Sequence, residues 1–159
     1  MTTSPPAYSF VHLRGPDSAG HSYGWDPTPG STYSNSVREI DDLLGRIFAV
    51  VQGSAMLNGT TTILLTTDHG GSGTHHGEAD VAVHYTVPLY AWGAAVAAGA
   101  DLYELNAGVR PNPASSRPDY GASVQPVRNG DVANAALGLL GLPVVAGSHI
   151  NVTAPLRLE

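Results

Sequence analysis

Between Tyr33 and Val51 the apolar residues Tyr33, Val37, Ile40, Leu44, Ile47 and Val51 recur at spacings of 4, 3, 4, 3 and 4. That is the stripe of an amphipathic helix, and Arg38, Glu39, Asp41, Asp42 and Arg46 fall largely on its other faces. Ser36 with Glu39 three residues on has the pattern of a capping box, while Ser31 or Ser34 would start the helix earlier. An apolar run stands on each side of the helix. Residues 8–13, Tyr8-Ser-Phe-Val-His-Leu13, end at Gly15-Pro16, and residues 60–67 follow Asn58-Gly59. Strand, long helix, strand is the βαβ unit, whose crossover is right-handed in nearly all cases. The pattern predicts an α/β fold, a parallel βαβ-based sheet with flanking helices.

Downstream, Val87-Pro-Leu-Tyr-Ala-Trp92 is a third strand candidate closed by Gly93. Residues 94–129, rich in Pro, Asn, Ser and Gly, read as a loop wrapping the surface. Asp131 is expected to cap a short apolar helix, Val132 to Leu140, that ends at Gly141 with Pro143 beyond. The tail from Val144 to Glu159 carries little signal. At 159 residues the chain has the length of a single domain. No run of 18 uncharged apolar residues occurs, so no membrane span is expected. A net charge of −6, with seven arginines and no lysine, argues against a nucleic-acid-binding surface. With no cysteine, disulfides and thiolate chemistry are excluded. Neither G-x-G-x-x-G nor a Walker pattern appears, so the 19 glycines do not point to a phosphate-cradling loop.

The chemistry gathers where the first two strands should end. Asp17-Ser-Ala-Gly-His21 puts a carboxylate and an imidazole at i and i+4, on one face of a helical turn. Thr66-Thr67-Asp68-His69-Gly70-Gly71 puts a second such pair at a strand exit, where two glycines let the backbone turn sharply. Parallel strands joined by a crossover helix end on the same sheet edge, and ligands of open α/β sheets bind beyond that edge. Asp17, His21, Asp68 and His69 are therefore expected to face one crevice. Mixed oxygen and nitrogen donors suit a divalent metal, and four of them begin a two-metal site. A further histidine ligand is open between His76, in the glycine-flanked loop Gly73-Thr74-His75-His76-Gly77, and His84, ahead of the third strand, with His75 behind both. The remaining residues have plainer readings. His12 is a packed strand histidine and His149 a tail residue. Asp26, Glu78 and Asp80 are solvated loop charges, while Trp25, Tyr33 and Trp92 are core or rim aromatics.

Pro16-Asp17-Ser-Ala-Gly20-His21, the long helix with Glu39-Ile40-Asp41, then Thr67-Asp68-His69-Gly70 and a later histidine resemble the alkaline phosphatase superfamily. The branch is the nucleotide pyrophosphatase/phosphodiesterase- or sulfatase-like one, and the likeness runs from about residue 8 to 142. The resemblance implies two divalent metal ions, zinc with manganese as the alternative. Asp17, His21 and His76 would hold the first metal, and Asp68 and His69 half of the second. His84-Tyr-Thr-Val-Pro88 keeps His84 as the alternative third histidine, because mutase-like relatives place one just before the V-P strand. The implied substrate is a small-molecule phosphate or sulfate ester.

The family's nucleophilic Ser or Thr and an early Asp lie upstream of D-x-x-G-H, and Thr2, Thr3 and Ser4 do not match them. Residues 1–159 are thus expected to be a single partial domain, the C-terminal part of an alkaline-phosphatase-like fold, open to association through an exposed sheet edge. The leading reading is a metal-dependent hydrolase of phosphoric esters. Its rivals are a catalytically silent metal-binding or partner-binding remnant, and a phosphosugar mutase.

Overall fold

The computed structural model describes residues 4–159; Thr2 and Thr3 lie outside the described residues. The chain packs as two compact units, one running through Thr61 with His69–Val87, the other Thr62–Asp68 with Pro88–Glu159.

In the first unit, α1 spans Gly15–Tyr23 with Pro16 in its opening turn, where proline's missing N–H breaks no hydrogen bond. Asp17 lies in the first turn and His21 in the last. The predicted long helix is α2, Thr32–Gly53. Its cap is Ser31, whose side chain accepts from the Ser34 N–H at 3.0 Å. The Ser36/Glu39 capping box does not form, because Ser36 is already inside the helix and its hydroxyl donates to the Tyr33 carbonyl at 2.7 Å. α1 packs against α2, with Ala19 and Val51 among the buried residues. A single short helix, α3 (Ala82–Tyr85), completes the unit.

The strand expected over residues 8–13 is absent. That segment is irregular, and Tyr8, Phe10 and Val11 are 58%, 77% and 59% exposed. An extended run becomes a strand only when a neighbour takes up its N–H and C=O groups, and none of the described residues does so. His12, expected to be packed, is exposed and stacks on Phe10 at 6.5 Å.

In the second unit β1 (Thr62–Thr66) pairs with β2 (Leu89–Gly93), from Thr62 opposite Gly93 to Thr66 opposite Leu89. The pairing is antiparallel, which replaces the expected parallel βαβ sheet among the described residues. The reason lies in the connection. Thr66 faces Leu89, so the chain leaves β1 and enters β2 at the same end of the ladder, and a connection of that kind makes strands antiparallel. Thr66 Oγ1 reinforces that end by donating to the Pro88 carbonyl at 2.8 Å.

The stretch 94–129 holds one helical turn, α4 (Leu102–Leu105), capped by Asp101 on the N–H groups of Tyr103 and Glu104 at 2.7 and 3.2 Å. α5 (Asp131–Leu139) packs on β1. Asp131 opens this helix but does not cap it; Gly130 holds the cap position. The Asp131 carboxylate instead accepts from the Arg128 N–H at 2.8 Å and from Asn151 Nδ2 at 2.7 Å, and faces Arg110 Nη2 at 3.4 Å. α5 stops as predicted at Gly141, whose φ is 67°. The N–H groups of Leu142 and Gly141 reach the carbonyls of Leu137 and Gly138 at 2.9 and 3.0 Å, the Schellman pattern. Among the described residues no helix is long and apolar enough to cross a membrane.

Candidate metal centre

The site lies in the first unit and is assembled by α1 and the segment after His69. Because Asp17 and His21 are one helical turn apart, their side chains meet, with His21 Nε2 3.4 Å from Asp17 Oδ1. The segment 69–84 folds back on itself through three backbone contacts. The Gly70 N–H donates to the His84 carbonyl at 2.9 Å, and Ser72 and His75 exchange hydrogen bonds at 3.0 and 3.1 Å. The Trp25 N–H then donates to the Gly73 carbonyl at 2.9 Å. This brings His69 Nε2 to 3.8 Å from Asp17 Oδ1. The His76 ring stacks on that of His69, with centroids 3.6 Å apart and 13° between planes, and lies 5.0 Å from the His21 ring. Asp17, His69 and His76 offer ligand atoms that all lie within 4.8 Å of one another.

Glycines make this closeness possible. A Cβ at Gly20 or Gly71 would strike the indole of Trp25, and one at Gly70 would strike the Val83 carbonyl. Trp25, read from sequence as a core or rim aromatic, walls the cluster edge-on, 4.9 Å from His21 and 5.8 Å from His76 between ring centroids.

The electrostatics say what the cluster lacks. His21 Nδ1 lies 3.1 Å from the Thr74 carbonyl, and His69 Nδ1 lies 2.8 Å from that of Gly70. A carbonyl only accepts, so each Nδ1 carries the hydrogen, and in the neutral ring Nε2 is left with its lone pair. Both Nε2 atoms are turned on Asp17 Oδ1, a buried oxygen with no hydrogen-bond partner among the described residues. A carboxylate oxygen with two imidazole nitrogens turned on it is a donor set that a divalent cation would join. The spacing fits one, since ligand atoms about 2.0–2.1 Å from a tetrahedral zinc stand roughly 3.3 Å apart. Holding the outer ring nitrogen on a backbone carbonyl is also how metal-ligating histidines are oriented. The residues present therefore fit a divalent metal.

The other sequence candidates fall elsewhere. Asp68 belongs to the second unit, where its backbone carbonyl accepts from Asn129 Nδ2 at 2.9 Å and its carboxylate lies 3.4 Å from Thr67 Oγ1. His84 is buried, 4% exposed, and lies in a separate group with His75 and Glu78. Glu78 is thus more than a solvated charge, since its Oε2 is 2.9 Å from His75 Nδ1 and 3.2 Å from His84 Nδ1. The spacing of His75, Glu78 and His84 was visible in the sequence, but a loop does not declare which residues it folds together. Asp26 is fully exposed, and hydrogen bonds from Thr28 hold its carboxyl below the usual range. His149 is exposed in the tail.

A carboxylate and several imidazoles turned on one small volume make a candidate metal-binding site on a mixed α/β chain. Residues 2–124 match the family model of the type I phosphodiesterases/nucleotide pyrophosphatases, and the chain belongs to that family. It is a family of the alkaline phosphatase superfamily, made up of metal-dependent hydrolases of phosphoric esters. No curated protein and no solved structure matches the chain.

Proposed function

We propose that Asp17, His21 and His76 hold one zinc ion for phosphoric ester hydrolysis, and that His69 serves a second. Asp68, next to His69 in sequence, is the carboxylate that the family resemblance pairs with it; this part rests on sequence alone. The observation that carries the reading is Asp17 Oδ1, buried without a hydrogen-bond partner and faced by two imidazole Nε2 atoms. Bound divalent metals in such sites neutralise charge on the phosphoryl group and lower the pKa of an attacking hydroxyl or water. The protein's part is to hold the donors ready. The Thr74 and Gly70 carbonyls fix the ring tautomers of His21 and His69, and Trp25 packs edge-on against His21 and His76. Asp17 and His21 remain part-exposed, which leaves a side open to a small phosphate ester.

Zinc titration of metal-stripped protein by calorimetry tests this. The wild type should bind zinc, and Asp17→Asn and His76→Ala should each weaken that binding by at least about 10–100-fold, the scale of losing an oriented ligand. Unchanged affinity in Asp17→Asn would end the proposal. A second measurement addresses turnover. The family resemblance matches no hydroxyl of residues 1–159 to its nucleophile, and covalent catalysis depends on an activated one. With zinc or manganese added, residues 1–159 should hydrolyse para-nitrophenyl phosphate esters no faster than His69→Ala. Zinc-dependent turnover that disappears in His69→Ala would show that the chain supplies its own nucleophile or attacking water.

A further inference from the structure

The donors left outside the first cluster form one of their own. Glu78 Oε2 stands 2.9 Å from His75 Nδ1 and 3.2 Å from His84 Nδ1, and ligand atoms of the three residues all lie within 4.8 Å of one another. We propose that His75, Glu78 and His84 form a further divalent-metal site, suited to zinc, that staples the loop carrying His76. Two imidazoles and one carboxylate are a zinc donor set, and the two nitrogen-to-oxygen spacings, 2.9 and 3.2 Å, lie just inside the roughly 3.3 Å expected between ligands of a tetrahedral zinc.

The environment of each ligand supports the assignment. The His84 ring is almost wholly enclosed, with 3% of its side chain exposed, and its Nε2 lies 2.8 Å from Ser72 Oγ. A serine hydroxyl accepts as readily as it donates. In the metal-free protein the His84 Nδ1–H serves the Glu78 carbonyl and carboxylate, each at 3.2 Å, and the Ser72 hydroxyl donates to Nε2; on metal binding the hydroxyl would turn to accept from Nε2–H and leave the Nδ1 lone pair to the metal. Without metal, the same atoms hold together as N–H groups donated to the carboxylate. Zinc binding then requires only that the hydrogen of each neutral ring move from Nδ1 to Nε2, with no net change in protons on the histidines. His75 and Glu78 are 59% and 48% exposed at the side chain, so a fourth position opens to water.

The link to the first cluster is covalent. His75 is held in an isolated bridge with Ser72 and sends its side chain to Glu78, while its neighbour His76 stacks on His69. Fixing His75 to Glu78 and His84 limits the freedom of the backbone that presents His76.

Zinc stoichiometry, measured by equilibrium dialysis and elemental analysis, tests the proposal apart from the first centre. The variants are Glu78→Gln, His75→Ala and Asp17→Asn; Glu78 and His75 are exposed, so their substitution should leave the fold intact. Glu78→Gln and His75→Ala should each lose one zinc relative to wild type, while Asp17→Asn keeps that zinc. In Asp17→Asn, zinc should also shift the Nδ1 resonances of His75 and His84 in proton–nitrogen correlation spectra. Wild-type stoichiometry in Glu78→Gln, or Nδ1 resonances that zinc does not move, would overturn the proposal. Loss of zinc from Asp17→Asn alone would count for the first centre and against this one.

Discussion

At the scale of single residues, chemistry and packing meet at Asp17 and the glycines around it. Asp17 is oriented by α1, but its partners His69 and His76 reach it only because Gly20 and Gly71 let Trp25 lie flat against the backbone. Gly71→Ala should therefore push the indole from its seat and loosen the histidine cluster. Overpacking of this kind costs typically about 1–3 kcal/mol. We expect that loss of stability in urea denaturation, together with weaker zinc binding. Unaltered zinc affinity would show that Trp25 does not position the cluster. The Asp17/His21 pair was legible from the i, i+4 spacing, because a helix enforces that meeting locally. Glu78 was not legible, because its partners are set by the path of a loop.

At the scale of elements, α2 and α5 were the most readable, since helices are built from near neighbours. The stripe from Tyr33 to Val51 placed α2, and the Gly141 stop placed the end of α5. The cap of α2 was the ambiguous point, and the structure chooses Ser31, whose hydroxyl serves the Ser34 N–H. Ser31→Ala should cost about 1 kcal/mol, the usual value of a lost N-cap, read as a lower urea midpoint with an unchanged slope. Ser36→Ala, at the rejected cap position, should cost less; the reverse order would move the cap to Ser36. Strands were harder to read. Residues 8–13 and 61–65 look alike as apolar runs, yet only the second finds a ladder partner. Strand identity depends on a neighbour that can lie anywhere in the chain.

At the scale of the whole molecule, the second unit is tied together by a polar hub that the sequence showed only as a helix cap. Arg110 and Asp131 are each 2% exposed and face each other, with Asn151 and the Arg128 N–H completing the carboxylate's contacts. The Arg110 guanidinium also donates to the Ala154 carbonyl. Burial lowers the pKa of Arg110 from its ordinary value, and Asp131 opposes that shift. Removing the carboxylate would strand a buried cation, which costs about 3–5 kcal/mol. Asp131→Ala should lower the unfolding free energy by that much in urea, and a loss below about 1 kcal/mol would show that the pair is dispensable. Sequence alone determined the family, both carboxylate–histidine motifs, the span of α2 and the end of α5, because each is carried by residues close together along the chain. Tertiary structure decided that β1 and β2 run antiparallel, that His76 joins Asp17 and His69 while His84 joins Glu78, and that Asp131 binds Arg110. Those outcomes follow from which distant segments meet, and no local propensity encodes that.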